Sequence, residues 1–362
     1  MKILMVHHGK GIGGAPKSMS YLAKGLIERG YLVEILFLQA SDATSLFDEI
    51  DCDKYVSKVP IYYFYHMSKW VRLWQVHKLV SQLVSVTLQT FFVAPYYILK
   101  TKPDIVYINT SVIPEWAIVS KFLGKKVVVH IRETLSEGHF GIRSFLISTI
   151  INSFADLVIS ISKYNKSKIK GIGKAKSLVA YNYERLPTIN SSYKKIYDFI
   201  YVGGESEIKG WKVMEFLIRS NPLANFVLAG EYSDNTKRNL LLLPNVNIIG
   251  VVPNVYEYIK QSRFLLSPFA EPHFSRPVIE AYAYGAVPLA TFGGGSKEQV
   301  VDGITGFLFN KSDFKSANLV VRTCLNLNDS EYFCLLSNGK KLFRDRFSSS
   351  NEAEIINLIA EV

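Results

Sequence analysis

A pair of α/β domains, each on a doubly wound parallel sheet, is the architecture this sequence predicts. Apolar runs of strand length alternate with stretches of helical periodicity, and the alternation stops at residues 182–197 and then restarts. The 362 residues also exceed the roughly 250 to 300 that one core ordinarily fills. In order, KILMVHH is a buried strand, Met19, Leu22, Ala23, Leu26 and Ile27 share a helical face, and YLVEILFL is a second strand, making a βαβ unit. DIVYIN, KVVVHI, DLVISIS and SLVAY, beginning at Asp104, Lys126, Asp156 and Ser177, continue that sheet. NYERLPTINSSYKKIY loses periodicity and gains Pro, Asn, Ser and Lys, as a linker does. DFIYVGG, NFVLAGE, NVNIIG, FLLSPF, VPLAT and GFLF supply a second sheet, with helices near Trp211 to Arg219, Pro277 to Tyr284 and Phe314 to Asn326. SSSNEAEIINLIAEV reads as a capped terminal helix. The expected domains are 1–182 and 183–345, followed by the helix over 346–362.

The composition is globular, 48% hydrophobic and 20% charged. Cys52, Cys324 and Cys334 are scattered without metal-ligand spacing and read as reduced thiols. No secretory signal precedes the first strand, so the expected location is cytoplasmic. Residues 79–99 have the length of a membrane span, but Ser81, Gln82, Ser85, Thr87, Gln89 and Thr90 run through them and Pro95 interrupts. A buried or interfacial helix is expected there. The formal charge of +11 implies an anionic partner. Nucleic acid is disfavoured because no recognition motif for it is present. The segment YYFYHMSKWVRLWQVHKLV, from Tyr62, interleaves aromatics with Lys69, Arg72, His77 and Lys78. It reads either as an amphipathic helix on an anionic membrane or as an ordinary helix packed on the sheet.

Gly9, Gly11 and Gly14 have the spacing G-x-G-x-x-G. A dinucleotide fingerprint places its third glycine in the first helical turn and an acid at the end of the second strand. Here Pro16 suggests a helix starting after all three glycines, and Gln39, Ala40 and Ser41 end the second strand. The loop, Gly13 and Gly14 included, is therefore expected to hold a phosphate or another anionic oxygen at a helix N-terminus.

SPFAEPHFSRPVIEAYAYGAVPLATFGGGSKEQVVDGITGFLF, from Ser267, sets Glu271 and Glu280 on either side of a Phe-Ser-Arg-Pro turn, followed by a helix with small residues, a strand and a Gly-rich turn ending at Glu298. This resembles the retaining glycosyltransferases of family 4, with their paired glutamates, E-A-x-A-x-G-x-P and G-G-x-x-E. GGAPKSMSYLAKGLIERGY, VVVHIRE, ADLVISIS and YVGGESEIKG are similar, in order, to further family segments, so the resemblance spans nearly the whole chain. It implies the GT-B architecture, two facing Rossmann-like domains with an interdomain cleft, in which the second holds a nucleotide-sugar donor and the first an acceptor. It also implies a C-terminal helix returning to the first domain. Three departures stand out. Pro288 comes one place late after Gly285, Glu271 is one residue further from Glu280 than the family spacing, and Gly204 stands where the phosphate loop carries Arg. Arg276 and Lys17 are the candidate substitutes for that cation.

The resemblance implies catalytic roles for His130, Lys209 and Glu271, with Glu133 three residues beyond His130. Lys209 would stabilise the departing diphosphate, Glu271 would bind the donor sugar and Glu280 the ribose. Gly203, Gly204, Phe274, Ser275 and Arg276 complete the donor-binding set; His7, His8 and His139 are expected bystanders. The implied activity transfers a sugar from a nucleotide-diphosphate sugar to a glycan or lipid-linked acceptor, in surface polysaccharide or glycolipid assembly. No cofactor and no metal are expected, and a peripheral position on the inner face of the plasma membrane is. The alternatives are a nucleotide-sugar 2-epimerase of the same fold and a catalytically silent partner-binding subunit.

Overall fold

The structure, a computed structural model, describes residues 1–64, 71, 74–185, 194–252, 254–271 and 274–362. The chain divides into two compact units, Met1–Asn182 with Ser350–Val362, and Tyr183–Ser349. In the first unit β1 (Lys2–His7), α1 (Gly14–Glu28), β2 (Leu32–Phe37), β3 (Asp53–Val56), α2 (Val76–Leu88), α3 (Ala94–Thr101), β4 (Ile105–Ile108) and α4 (Glu115–Phe122) follow one another. β5 (Lys126–Ile131), α5 (Ile142–Phe154), β6 (Leu157–Ser160), α6 (Lys163–Ser167) and β7 (Lys176–Val179) continue the alternation. The seven strands are parallel in the order β3-β2-β1-β4-β5-β6-β7. The order reverses between β1 and β4, the switch point where open α/β sheets bind ligands beyond their carboxyl ends.

The apolar runs explain the sheet. β1, β4, β5 and β6 are buried on both faces, and Leu4, Val6, Val106, Val129 and Val158 pack with Val93, Ile98, Trp116 and Ile151 of the overlying helices in one core. α1 begins at Gly14, two residues before the proline that suggested its start. The first four N–H groups of a helix have no partner within it, so Pro16 costs nothing as the third residue. The third glycine thus does lie in the first turn, and what still separates this loop from a dinucleotide fingerprint is the missing acid.

Residues 76–101 form one continuous helical rod in which the π-turn Gln89–Val93 joins α2 to α3. Pro95 does not interrupt it, being the second residue of α3. Tyr62, Tyr63 and Phe64 are not helical, and residues 65–70 and 72–73 of the expected basic-aromatic helix lie outside the described residues. Among its described residues the end, with His77 and Lys78, is helical, inside α2.

The second unit contains β8 (Tyr197–Val202), α7 (Trp211–Ser220), β9 (Phe226–Ala229), α8 (Asp234–Leu241), β10 (Val246–Gly250), α9 (Tyr256–Lys260), β11 (Ser262–Ser267) and α10 (Arg276–Tyr284). β12 (Val287–Thr291), α11 (Ser296–Gln299), β13 (Phe307–Phe309), α12 (Phe314–Leu325) and α13 (Asp329–Arg346) complete it. Its parallel order is β10-β9-β8-β11-β12-β13, with the switch between β8 and β11. α13 starts on a capping box: Asn328 Oδ1 accepts from the Glu331 N–H, and the Glu331 carboxylate accepts from the Asn328 N–H, both at 3.0 Å.

The last helix, α14 (Ser350–Ala360), packs on α1 of the first unit. A Cβ at Gly25 would lie 2.0 Å from Glu352 Oε1 and 3.1 Å from the Ile356 side chain. α14 is seated in a notch that a glycine leaves in α1.

Candidate active site

The second unit builds its polar rim at the carboxyl ends of β8, β11 and β12. The loop after β8 lies flat against the turn after β9, with the Glu205 N–H donating to Glu231 O at 2.7 Å. Gly204 makes this possible, because its φ is +59° and a Cβ there would meet Glu231 O at 2.5 Å. The position where the resemblance expects Arg is thus one where this loop has no room for a side chain. Hydrogen bonds from the Ser233 N–H and Thr236 hydroxyl, both at 2.8 Å, hold the Glu205 carboxyl below its usual range and tie the loop to the start of α8.

At its other end the same loop meets the segment after β11. Gly210 has φ +87°, and a Cβ would stand 1.8 Å from Pro268 O. The Ala270 N–H donates to Ile208 O at 2.9 Å. Lys209 and Glu271 each follow one member of that bond, so the two loops present them at a common rim. Lys209 is exposed by surface area, yet protein around its ammonium lowers the pKa from the ordinary lysine value. Glu271 is half-buried. The one-residue bulge expected between Glu271 and Phe274 falls on Pro272 and His273, outside the described residues.

Beyond that turn the expected donor contacts are already engaged. The Ser275 N–H donates to Gln299 Oε1 at 2.8 Å, Gln299 Nε2 donates to Ser275 O at 2.6 Å, and the Ser275 and Ser267 hydroxyls pair at 2.8 Å. Phe274 is buried against Gly295, where a Cβ would lie 2.8 Å from the Phe274 backbone. In this arrangement the Ser275 N–H is engaged by a side chain of the same unit. Arg276 is similarly placed: its guanidinium is buried and donates to Glu184, to Glu280 Oε1 at 3.1 Å and to Tyr183 O at 3.2 Å. It holds two carboxylates rather than standing in for the missing phosphate-loop cation. Glu280, near the start of α10, is buried beside it. Neither Glu184 nor Gln299 carries a signal in the sequence, because their partners are 92 and 24 residues away.

In the first unit the carboxyl ends of β1, β4 and β5 form a network around Arg132. Its buried guanidinium donates to Asn109 Oδ1 at 2.8 Å, Asn182 Oδ1 at 2.7 Å and Tyr107 Oη at 3.2 Å. Asn109 Nδ2 donates onward to Ala15 O at 3.2 Å, fixing the start of α1. His130 was expected at a strand end facing substrate, but it is the fifth of the six residues of β5 and fully buried. Tyr107 Oη lies 2.5 Å from His130 Nδ1. Since Tyr107 already accepts from Arg132, its proton points to Nδ1, which leaves the imidazole proton on Nε2, where no partner is found among the described residues. Burial and then the Arg132 charge drive the His130 pKa well below its ordinary value. The same causes take His7 down to about 4, and its ring lies under Gly9.

Glu133, just beyond β5, has one carboxylate oxygen anchored by the Ser111 N–H, Ser111 Oγ and Thr110 Oγ1 at 2.5, 2.6 and 2.8 Å. Gly13 caps α1 and Gly14 opens it, both exposed. Lys17, in the first turn of that helix, lies over the Tyr21 ring at 5.7 Å. Among the described residues no group of three or more His, Cys, Asp or Glu side chains is placed to hold a metal ion.

Two parallel-sheet Rossmann-like domains with these loops define the GT-B fold. The solved structure of Anabaena Alr3699/HepE in complex with UDP-glucose has a TM-score of 0.77 at 19% identity, with 100% of both chains covered. That of a glycosyltransferase from Rickettsia africae has a TM-score of 0.74 at 17% identity, covering 99% of this chain and 97% of that one.

Residues 184–333, which lie within the second unit, match the family model described as glycosyl transferases group 1. A curated relative, an uncharacterized 42.6 kDa protein in a cps region of Klebsiella pneumoniae, is 26% identical over 324 residues, 79% of this chain and 83% of that protein. Together these similarities support a glycosyltransferase.

Proposed function

We propose that the protein is a retaining glycosyltransferase that moves a sugar from a nucleotide-diphosphate sugar to a hydroxyl of a glycan or lipid-linked acceptor, in the assembly of a surface polysaccharide or glycolipid. The observation that carries the reading is the bond joining the Lys209 loop to the Glu271 loop at the switch point of the second sheet. The neighbours solved with UDP and UDP-glucose support the donor class, and the cps-region relative supports the polysaccharide setting. The reading takes the cytoplasm as location, an anionic membrane surface as a further partner, and no metal or cofactor.

In this reading the bond from the anomeric carbon to the diphosphate breaks while the acceptor oxygen attacks from the same face. The departing phosphate oxygen takes the acceptor's proton, so no separate base is needed. Lys209 stabilises the charge growing on the diphosphate, and with Gly204 side-chainless and Arg276 engaged by carboxylates it is the cation this loop offers. Glu271 accepts hydrogen bonds from the donor sugar. Glu280, oriented by Arg276, accepts them from the ribose. His130 acts from the interior as a positioning group for the carboxyl end of β5.

Incubation with a panel of nucleotide sugars, following transfer, donor hydrolysis and 2-epimer formation, separates this reading from the epimerase and the silent subunit. Lys209→Ala should lower turnover about a hundredfold or more with folding intact. Glu271→Gln should impair transfer while nucleotide binding survives, and Glu280→Gln should weaken binding of the bare nucleotide. Full activity of folded Lys209→Ala would refute the assignment.

A further inference from the structure

The rod of residues 76–101 is built inside out. Its inward side buries Gln82, Ser85 and Gln89, with Gln89 Oε1 accepting from Trp116 Nε1 at 3.2 Å and Ser85 Oγ accepting from the Tyr62 N–H at 2.7 Å. Its outward side shows Val80, Leu83, Val84, Phe91, Phe92 and Leu99, each more than half exposed. A helix on a water-facing protein surface does the reverse. By length and composition the rod is long and apolar enough to cross a membrane, at a mean hydropathy of 1.3, but it packs on the first sheet through Val93, Ala94 and Ile98.

The apolar face extends across the layer. α3 packs on α4 and α4 on α5. At the start of α5, Phe140, Ile142, Phe145 and Leu146 are exposed around a hollow of about 530 Å³ that Lys168 and Lys170 also line, with Glu137 as its one acid. Exposed apolar surface of this extent marks an interaction site. Charge chooses the partner. Residues 62–182 hold 16 Lys and Arg against 5 Asp and Glu, so the whole +11 of the chain resides in that part of the first unit. Residues 76–101 contain no acid at all.

We propose that this helical layer, α2 to α5, is a docking face for a bilayer containing anionic lipid, with the outward side chains of the rod and α5 entering the headgroup boundary and the lysines meeting lipid phosphates. The proposal deepens the membrane part of the reading above and does not depend on its chemistry. It also moves the contact from the basic-aromatic segment at 62–78 to the layer that follows it.

The full chain is floated with vesicles of phosphatidylcholine alone and with about a third phosphatidylglycerol. Binding to the anionic vesicles, weakening with salt, is expected, with little binding to the neutral ones. The double variant Phe91→Ser/Phe92→Ser should lose about tenfold or more in vesicle affinity. Lys168→Ser/Lys170→Ser should lose about fivefold per lysine, on anionic vesicles alone. All these positions are at least partly exposed, and unchanged circular dichroism and thermal midpoint are expected. Equal binding or none to the two vesicles, or binding undiminished by Phe91→Ser/Phe92→Ser, would overturn the proposal. So would a concentration-dependent dimer that this variant abolishes without any vesicle binding. Sugar transfer to a water-soluble acceptor should be unchanged in the Phe91→Ser/Phe92→Ser variant, which keeps this test separate from that of the activity.

Discussion

The two units solve the same architectural problem with opposite electrostatics. The second buries an ion triad at its rim and keeps that rim glycine-tight: Arg276 is clasped by Glu184 and Glu280, and Gly204, Gly210 and Gly295 leave no space for a side chain. The first buries Arg132 among neutral partners and leaves its glycine loop open, with nothing within 4 Å of a Cβ at Gly11 or Gly13. A rim pre-shaped by backbone contacts suits a ligand of constant shape. An open loop beside a cation held by neutral groups tolerates variety in what it meets.

The contrast can be broken most forcefully at its ions. Arg276→Leu strands two buried carboxylates and should cost about 3 to 5 kcal/mol in urea unfolding. Arg132→Leu removes hydrogen bonds to neutral groups and should cost about 1 to 3 kcal/mol. Equal losses would mean that the Arg276 cluster is not the ion triad described. Next come the glycines. Gly210→Ala meets Pro268 O and a φ of +87°, for a loss of about 2 kcal/mol or more, whereas Gly11→Ala should stay within about 0.5 kcal/mol. A similar thermal midpoint for the two variants would show that the second rim yields.

The smallest effect is the dependence on pH. His7 titrates near 4 in the folded chain, below its ordinary 6.5, so the unfolded chain takes up the proton first as pH falls. Folding should weaken by about 2 kcal/mol between pH 6.5 and 5 from this group, and His7→Gln should remove that slope. Glu115, pushed up to about 8 by burial, works with the opposite sign: its penalty is fullest above pH 8 and gone below about 4.5. Glu115→Gln should therefore stabilise more at pH 8 than at pH 5. Denaturant midpoints of the two variants across pH 5 to 8 read both signs.

Much of the fold was legible because buried parallel strands are apolar runs, and KVVVHI is β5 residue for residue. β3 was not, since DKYV is a half-exposed edge strand with charged residues and none of that signal. The start of α1 was misplaced because proline marks a helix's first turn rather than its first residue. In the site, the loops around Lys209 and Glu271 could be read from motif order. What Arg276 and Ser275 do could not, because Glu184 and Gln299 are fixed by the packing of distant segments. His130 looked like a strand-end ligand in sequence, and its distinguishing partner Tyr107 is supplied by the neighbouring strand.

The glycine notch in α1 has a consequence for the order of events on the ribosome. The first unit's sheet and most of its helices are synthesised before residue 183, yet the helix that fills the Gly25 notch emerges only after the whole of the second unit. Until then Met1–Asn182 presents an unfilled groove on α1, and the nascent chain must hold that half-built unit in solution while the residues from Tyr183 to Ser349 are translated.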